Sequence, residues 1–250
     1  MRVERHGELL RLVLDRPTKR NALDLETIQG LRDAVATRGP RVIRVEAEGP
    51  TWCAGADLAA VMSHPGGRSA AMHLFADALA DLVESPVPLV AVVDGAVLGG
   101  GVGLLCAADL AIAGRSASVC LPESRVGAWP MMVGALLARV TTPRLAMDLA
   151  LTGRRVDAEE GQRIGLFSRV EDDAAAAADQ ACAAILARSP AAARAGREAW
   201  REHAGLWAPG LRERLHGLAE ALELVASHPD AAEGMSAFFQ KREPRWASEE

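Results

Sequence analysis

Over roughly the first 140 residues, short apolar runs alternate with loops rich in turn formers; beyond Pro143, apolar residues recur at helical spacing instead. Leu9 to Leu14 (LLRLVL) is an apolar run bounded by charge and predicts a strand. The turn-rich DRPTKRNALD follows, with Asp24 placed to cap a helix from Leu25 to about Arg38. Val42 to Ala47 (VIRVEA), β-branched and alternating, predicts a second strand. Met72, Phe75, Leu79, Leu82 and Val83 fall at helical spacing within Gly67 to Glu84. Pro88 to Val93 reads as a buried strand, Gly99 to Ala108 as a helix opening on glycines, and Asp109 to Ala113 as another strand. Strand–loop–helix units repeated in this way predict an α/β fold with parallel strands.

After Pro143 the pattern predicts helices at 143–151, 157–164, 174–188, 190–204, 211–226 and 230–240, with one short strand near 167–170. The expected organisation is an α/β core over 1–190 followed by a helical C-terminal region over 191–250.

Composition narrows the classes of partner. Half of the 250 residues are hydrophobic and 24% are charged, so a sizeable core forms without covalent staples. The net charge of −5 offers no global attraction to nucleic acid or an anionic membrane, and neither is expected as a partner. The four cysteines form no CxxC pair and no zinc spacing. The N-terminal MRVERHGELL lacks the apolar stretch of a signal peptide, and no long uncharged apolar run reads as a membrane span. A soluble, cytoplasmic protein with reduced thiols is the expectation. Of 28 basic residues only Lys19 and Lys241 are lysine, the other 26 being arginine, so lysine positions carry information.

Common catalytic motifs are missing: there is no GxSxG, no GxxxxGK[ST] and no HExxH, and the six histidines lack ligand spacing. No metal site is expected. Two glycine-bearing loops remain. The first, Thr51-Trp52-Cys53-Ala54-Gly55-Ala56-Asp57-Leu58, follows a predicted strand. The second runs from Asp94 to Gly103 (DGAVLGGGVG) and opens a helix. Glycines at a helix start leave backbone N–H groups and the positive end of the helix dipole open to an anion or a developing oxyanion. They equally allow tight helix–sheet packing, and from the residues alone both readings stand.

Taken together, LDRPTKRNALD, CAGADL, DGAVLGGGVGLLCAADLAIA, LPESRVG and FFQKREPRW, in this order and across essentially the whole chain, resemble the enoyl-CoA hydratase/isomerase (crotonase) family. The resemblance implies a spiral core of ββα turns with C-terminal helices that drive assembly into a homotrimer or a dimer of trimers. It implies an acyl-CoA substrate and no cofactor beyond the coenzyme A of that substrate. The N–H groups of Ala56 and Gly100 would form an oxyanion hole for the thioester carbonyl, and Glu123 would be the acid/base. Coenzyme A would lie along Ala22, Ala54, Asp57 and Leu58, with Lys19 and Lys241 near its phosphates. Family hydratases commonly carry a second glutamate where this chain has Gly103. Its loss favours movement of a double bond by one carboxylate over hydration, the alternatives being hydration or an acyl-CoA-binding protein without chemistry. His64, His73 and Asp77 lie near the segment that flanks the acyl pocket and are the candidates to replace the missing carboxylate, each otherwise a solvated side chain.

Overall fold

The computed structural model of the protein describes residues 1–203 and 210–247. Strands β1 (Arg2–His6) and β2 (Leu9–Leu14) form an antiparallel hairpin that turns at Gly7 (φ 62°). Helix α1 (Leu25–Ala36) follows; the Asp24 carboxylate accepts a hydrogen bond from the Thr27 N–H at 2.8 Å and fixes its start.

From there the chain winds through three similar turns. β3 (Val42–Ala47) and β4 (Thr51–Cys53) lead to α2 (Leu58–Met62) and α3 (Gly67–Glu84). β5 (Leu89–Val93) and β6 (Ala96–Leu98) lead to α4 (Gly100–Ala107). β7 (Leu110–Gly114) and β8 (Ser118–Cys120) lead through a 3₁₀ turn at Glu123–Val126 to α5 (Met131–Val140). The first strand of each pair enters one sheet and the second enters another. With the remaining strands β9 (Val156–Asp157) and β10 (Arg169–Glu171), the sheet orders are β1-β2-β3-β5-β7-β10 and β4-β6-β8-β9. This is a ββα spiral. Pairing from β2 to β10 in the larger sheet is parallel, as is β4-β6-β8 in the smaller.

The remaining helices are α6 (Pro143–Thr152), α7 (Ala158–Arg163), α8 (Ala174–Leu186), α9 (Pro190–His203), α10 (Leu211–Ala226) and α11 (Pro229–Gln240). Helix α8 explains why β5 reads as an unbroken apolar run. Leu89, Ala91 and Val93 face the main core, while Val90 and Val92 pack with Ala174, Ala177, Ala178 and Ala181 of α8 on the opposite face. Helix α10 lies on α3 and α5, with Leu211, Leu215 and Ala219 joining the main core.

Most long elements match the sequence pattern, with α1 and α8 each ending two residues early, whereas the ten-residue α5 was not predicted. Residue 204, the end of the helix expected over 190–204, lies outside the described residues. The pattern did not predict β1, β4, β6, β8 or β9. Four of these five have two or three residues, too few for a period to register. No helix among the described residues is long and apolar enough to cross a membrane.

Candidate active site

The loops that leave the C-terminal ends of β4, β6 and β8 meet, at the end of a parallel sheet where α/β proteins bind ligands. Gly55 (φ 87°) brings the first two into backbone contact: a β-carbon there would lie 2.9 Å from both the Gly100 nitrogen and the Leu98 oxygen. No residue with a side chain fits. A β-carbon at Gly101 would lie 2.8 Å from Cys53 Cβ, so the start of α4 also rests directly on β4.

Two amides become neighbours by this contact. A β-carbon at Gly100 would stand 3.4 Å from the Ala56 nitrogen, and among the described residues neither the Ala56 nor the Gly100 N–H has an acceptor. Gly100 is the first residue of α4, so its N–H lies at the positive end of the helix. A pair of unpartnered N–H groups is what a carbonyl oxygen gaining negative charge requires.

Glu123 closes the third side. It opens the 3₁₀ turn after β8, and its Oε1 would lie 3.2 Å from a β-carbon at Gly99. Its Oε2 is buried without a hydrogen-bond donor. Burial pushes the carboxyl up from its ordinary value to about 7, only partly offset by its own backbone N–H. At neutral pH such a group is both an available base and an available acid.

The opposite wall is apolar. A β-carbon at Gly103 would lie 3.3 Å from both terminal carbons of Leu79 and 3.4 Å from Val133 Cγ2, and one at Gly100 would lie 3.3 Å from Phe75 Cζ. Phe75 and Leu79 sit four apart on α3 and line this wall together. His73 does not share it. Its Nδ1 lies 2.6 Å from Nδ1 of His216 on α10, whose Nε2 lies 2.8 Å from Asp77, which in turn pairs with Arg32 and Arg212. His73 and Asp77 therefore join α3 to α10, which corrects the expectation that they are solvated or take the place of a second carboxylate. His64 is occupied locally: its Nδ1 accepts from the Gly66 N–H at 2.9 Å. Met132 is buried in the core, and Trp129 packs against it.

The structure gathers Ala22, Ala54, Asp57 and Leu58. Ala54 N–H donates to Arg20 O (3.0 Å), Leu23 N–H to Gly55 O (2.7 Å) and Asp57 N–H to Leu23 O (2.9 Å), while the Asp57 carboxylate caps α2 at Leu58. Arg16 holds the loop from beneath, donating to Ala22 O at 2.6 Å and pairing with Asp24 and Asp57. Asn21 is 2% exposed and left-handed (φ 52°); it accepts from Arg16 N–H and donates to the carbonyls of Glu48 and Thr51. Two consecutive left-handed residues, Arg20 and Asn21, mark a strained loop held by its surroundings. Sequence reasoning passed over Arg16 and Asn21, although asparagine tolerates this backbone region. Lys19 is exposed on the same loop, whereas Lys241 is the exposed C-cap of α11 and makes no side-chain bond to these residues. Cys53 and Cys106 are buried thiols pushed up to about 12 by desolvation, inert as nucleophiles. No group of three potential metal ligands occurs among the described residues.

Comparison with known proteins gives the family. Residues 4–249 match the model of the family described as enoyl-CoA hydratase/isomerase. A cyclohexa-1,5-dienecarbonyl-CoA hydratase from Thauera aromatica is 35% identical over 252 residues, covering 98% of this chain and 95% of its own. A carnitinyl-CoA dehydratase from Citrobacter koseri is 32% identical, covering 97% and 96%. The crystal structure of an enoyl-CoA hydratase from Mycobacterium avium superposes with a TM-score of 0.82 at 34% identity, covering 96% and 94%. The α/β spiral is thus a crotonase fold. The chain belongs to the enoyl-CoA hydratase/isomerase family, a family of acyl-CoA enzymes.

Proposed function

We propose that the chain binds an enoyl-CoA, holds its thioester oxygen between the N–H groups of Ala56 and Gly100, and moves a proton with Glu123 as the single acid/base. In the forward step the Glu123 carboxylate takes the proton from the α-carbon of a 3-enoyl thioester. The electron pair passes to the thioester oxygen, where the two N–H groups each stabilise the oxyanion by roughly 3–4 kcal/mol. Glu123, now a carboxylic acid, returns the proton to the γ-carbon, the double bond shifts toward the thioester and the carboxylate is restored. Ala22, Ala54, Asp57 and Leu58 present backbone along the coenzyme A path, with Lys19 at its phosphate end; Lys241 meets those phosphates from a neighbouring subunit of a trimer.

The observation that carries this reading is the asymmetry of the site: one buried carboxyl with an unpartnered oxygen stands against Gly99, beside the paired amides, and Leu79 and Val133 pack on the side of Gly103. The names of the relatives favour a second reading, in which the same carboxylate supports addition or loss of water. Incubation with 2-enoyl-, 3-enoyl- and 3-hydroxyacyl-CoA esters, followed by mass spectrometry, separates the two. Double-bond movement without a mass change supports the first; interconversion of enoyl and hydroxyacyl esters supports the second. Binding without either product would leave an acyl-CoA-binding protein and overturn both.

A further inference from the structure

Glu123 stands on a turn that the C-terminal helix touches backbone to backbone. A β-carbon at Gly127 (φ 69°) would lie 2.5 Å from Asp230 O and 2.7 Å from Ala231 Cα. A β-carbon at Gly234, one helical turn on, would lie 2.4 Å from the Val126 carbonyl carbon and 2.8 Å from Gly127 N. Gly127 thus faces the main chain of α11 and Gly234 the main chain of the turn, and neither position has room for a methyl group. The same turn is tied to the candidate acid/base: the Glu123 carbonyl accepts from Ala128 N–H at 3.0 Å, and Gly127 N–H reaches back to the Glu123 and Ser124 carbonyls. Beside this joint lies a cleft of about 360 Å³ lined by Gly127, Leu224, Val225, His228 and Asp230. On that side the turn is held by the helix backbone rather than by filled side-chain packing.

We infer that α11 is a positioning element for Glu123, acting through Gly234 and Gly127, so that proton transfer depends on how closely the C-terminal helix is seated. This rests on Glu123 being the acid/base. A side chain at 234 must push α11 off the turn or push the turn toward Gly99, and a displacement near 1 Å is enough to degrade a proton-transfer geometry. The loss would fall on turnover rather than on thioester binding, because the amides of Ala56 and Gly100 belong to other loops.

The test compares Gly234→Ala with Gly217→Ala, since position 217 on α10 has open space for a β-carbon, and with Glu123→Gln. For Gly234→Ala the expected result is a kcat lower by roughly 10- to 100-fold with KM changed less than about threefold. The acidic limb of its kcat/KM profile should also move to lower pH by about one unit as Glu123 regains water. Gly217→Ala should behave as wild type. Should Gly234→Ala fail to fold, Ala231→Gly loosens the same joint and should move kcat and the profile in the same directions, less far. Wild-type kcat and pH profile in whichever joint variant folds, with Glu123→Gln inactive, would overturn the inference alone. Full turnover by Glu123→Gln would overturn the acid/base reading and this inference with it.

Discussion

The two sides of the site make opposite use of burial. On the Glu123 side a carboxyl group is enclosed with one oxygen unpartnered, and its proton affinity rises to about 7. On the Gly103 side, where family hydratases commonly place a second carboxylate, Leu79 and Val133 approach the backbone closely enough that even a methyl group is tight. Desolvation without a compensating partner is a cost that folded proteins tolerate mainly where the perturbed group has a task. The other side avoids that cost by being apolar. The difference teaches that position 103 cannot be read as a glutamate merely missing from a site prepared for it, because helix α3 has filled the space.

The most severe way to break this comparison is Glu123→Gln, which removes the base while keeping shape. Turnover should fall by about 10²- to 10⁴-fold with acyl-CoA binding retained, measured by steady-state kinetics alongside calorimetric titration. Gly100→Val attacks the amide pair instead. Its β-carbon would meet Phe75 at 3.3 Å and sit beside the Ala56 nitrogen, so a loss of about 10²- to 10³-fold in kcat is expected. Unimpaired turnover by a folded Gly100→Val would place the oxyanion elsewhere.

Stability gives a reading of Glu123 that needs no substrate. Its carboxyl titrates near 7 when folded against 4.5 ordinarily, so folding favours the protonated form. That contribution is complete below about pH 4.5 and is lost as pH rises through 7. Glu123→Gln should therefore be more stable than wild type at pH 8 by on the order of 3 kcal/mol, with the difference shrinking toward zero near pH 4. Denaturant unfolding at the two pH values checks it; a variant less stable than wild type at pH 8 would show that the carboxylate is well solvated or paired.

Smaller effects sharpen the Gly103 side. Gly103→Glu alone should destabilise the fold without creating hydration, whereas Gly103→Glu combined with Leu79→Ala opens room for the new carboxylate and should raise water addition relative to isomerisation. His73→Phe should leave kcat within about threefold, because the imidazole is engaged by His216 rather than by the site.

How much of this was legible in the sequence depended on whether a feature is local. The runs LLRLVL, VIRVEA and LVAVV announced their strands because each is mostly buried, LVAVV throughout, and Asp24 announced the start of α1 by capping chemistry. The strands that carry the site loops, β4, β6 and β8, are three residues each and exist through pairing with one another, which no local pattern encodes. The glycine loops were visible as composition, but their meeting at Gly55 and Gly100 is a tertiary fact. Phe75 and Leu79 were visible only as a helical stripe; that the stripe walls the site depends on where α3 packs. Arg16 and Asn21 clamp a loop through partners up to 41 residues away, and the Gly127–Gly234 joint spans a larger separation still.

The account's central claim is that one carboxylate moves protons on an enolate held by Ala56 and Gly100. The most direct measurement is incubation of wild type and Glu123→Gln with enoyl-CoA in deuterated water, following deuterium uptake at the α- and γ-carbons and water addition by mass spectrometry. The account predicts uptake by wild type that outpaces any water addition, and neither reaction in Glu123→Gln. Water addition faster than uptake, or uptake that persists in Glu123→Gln, would contradict it.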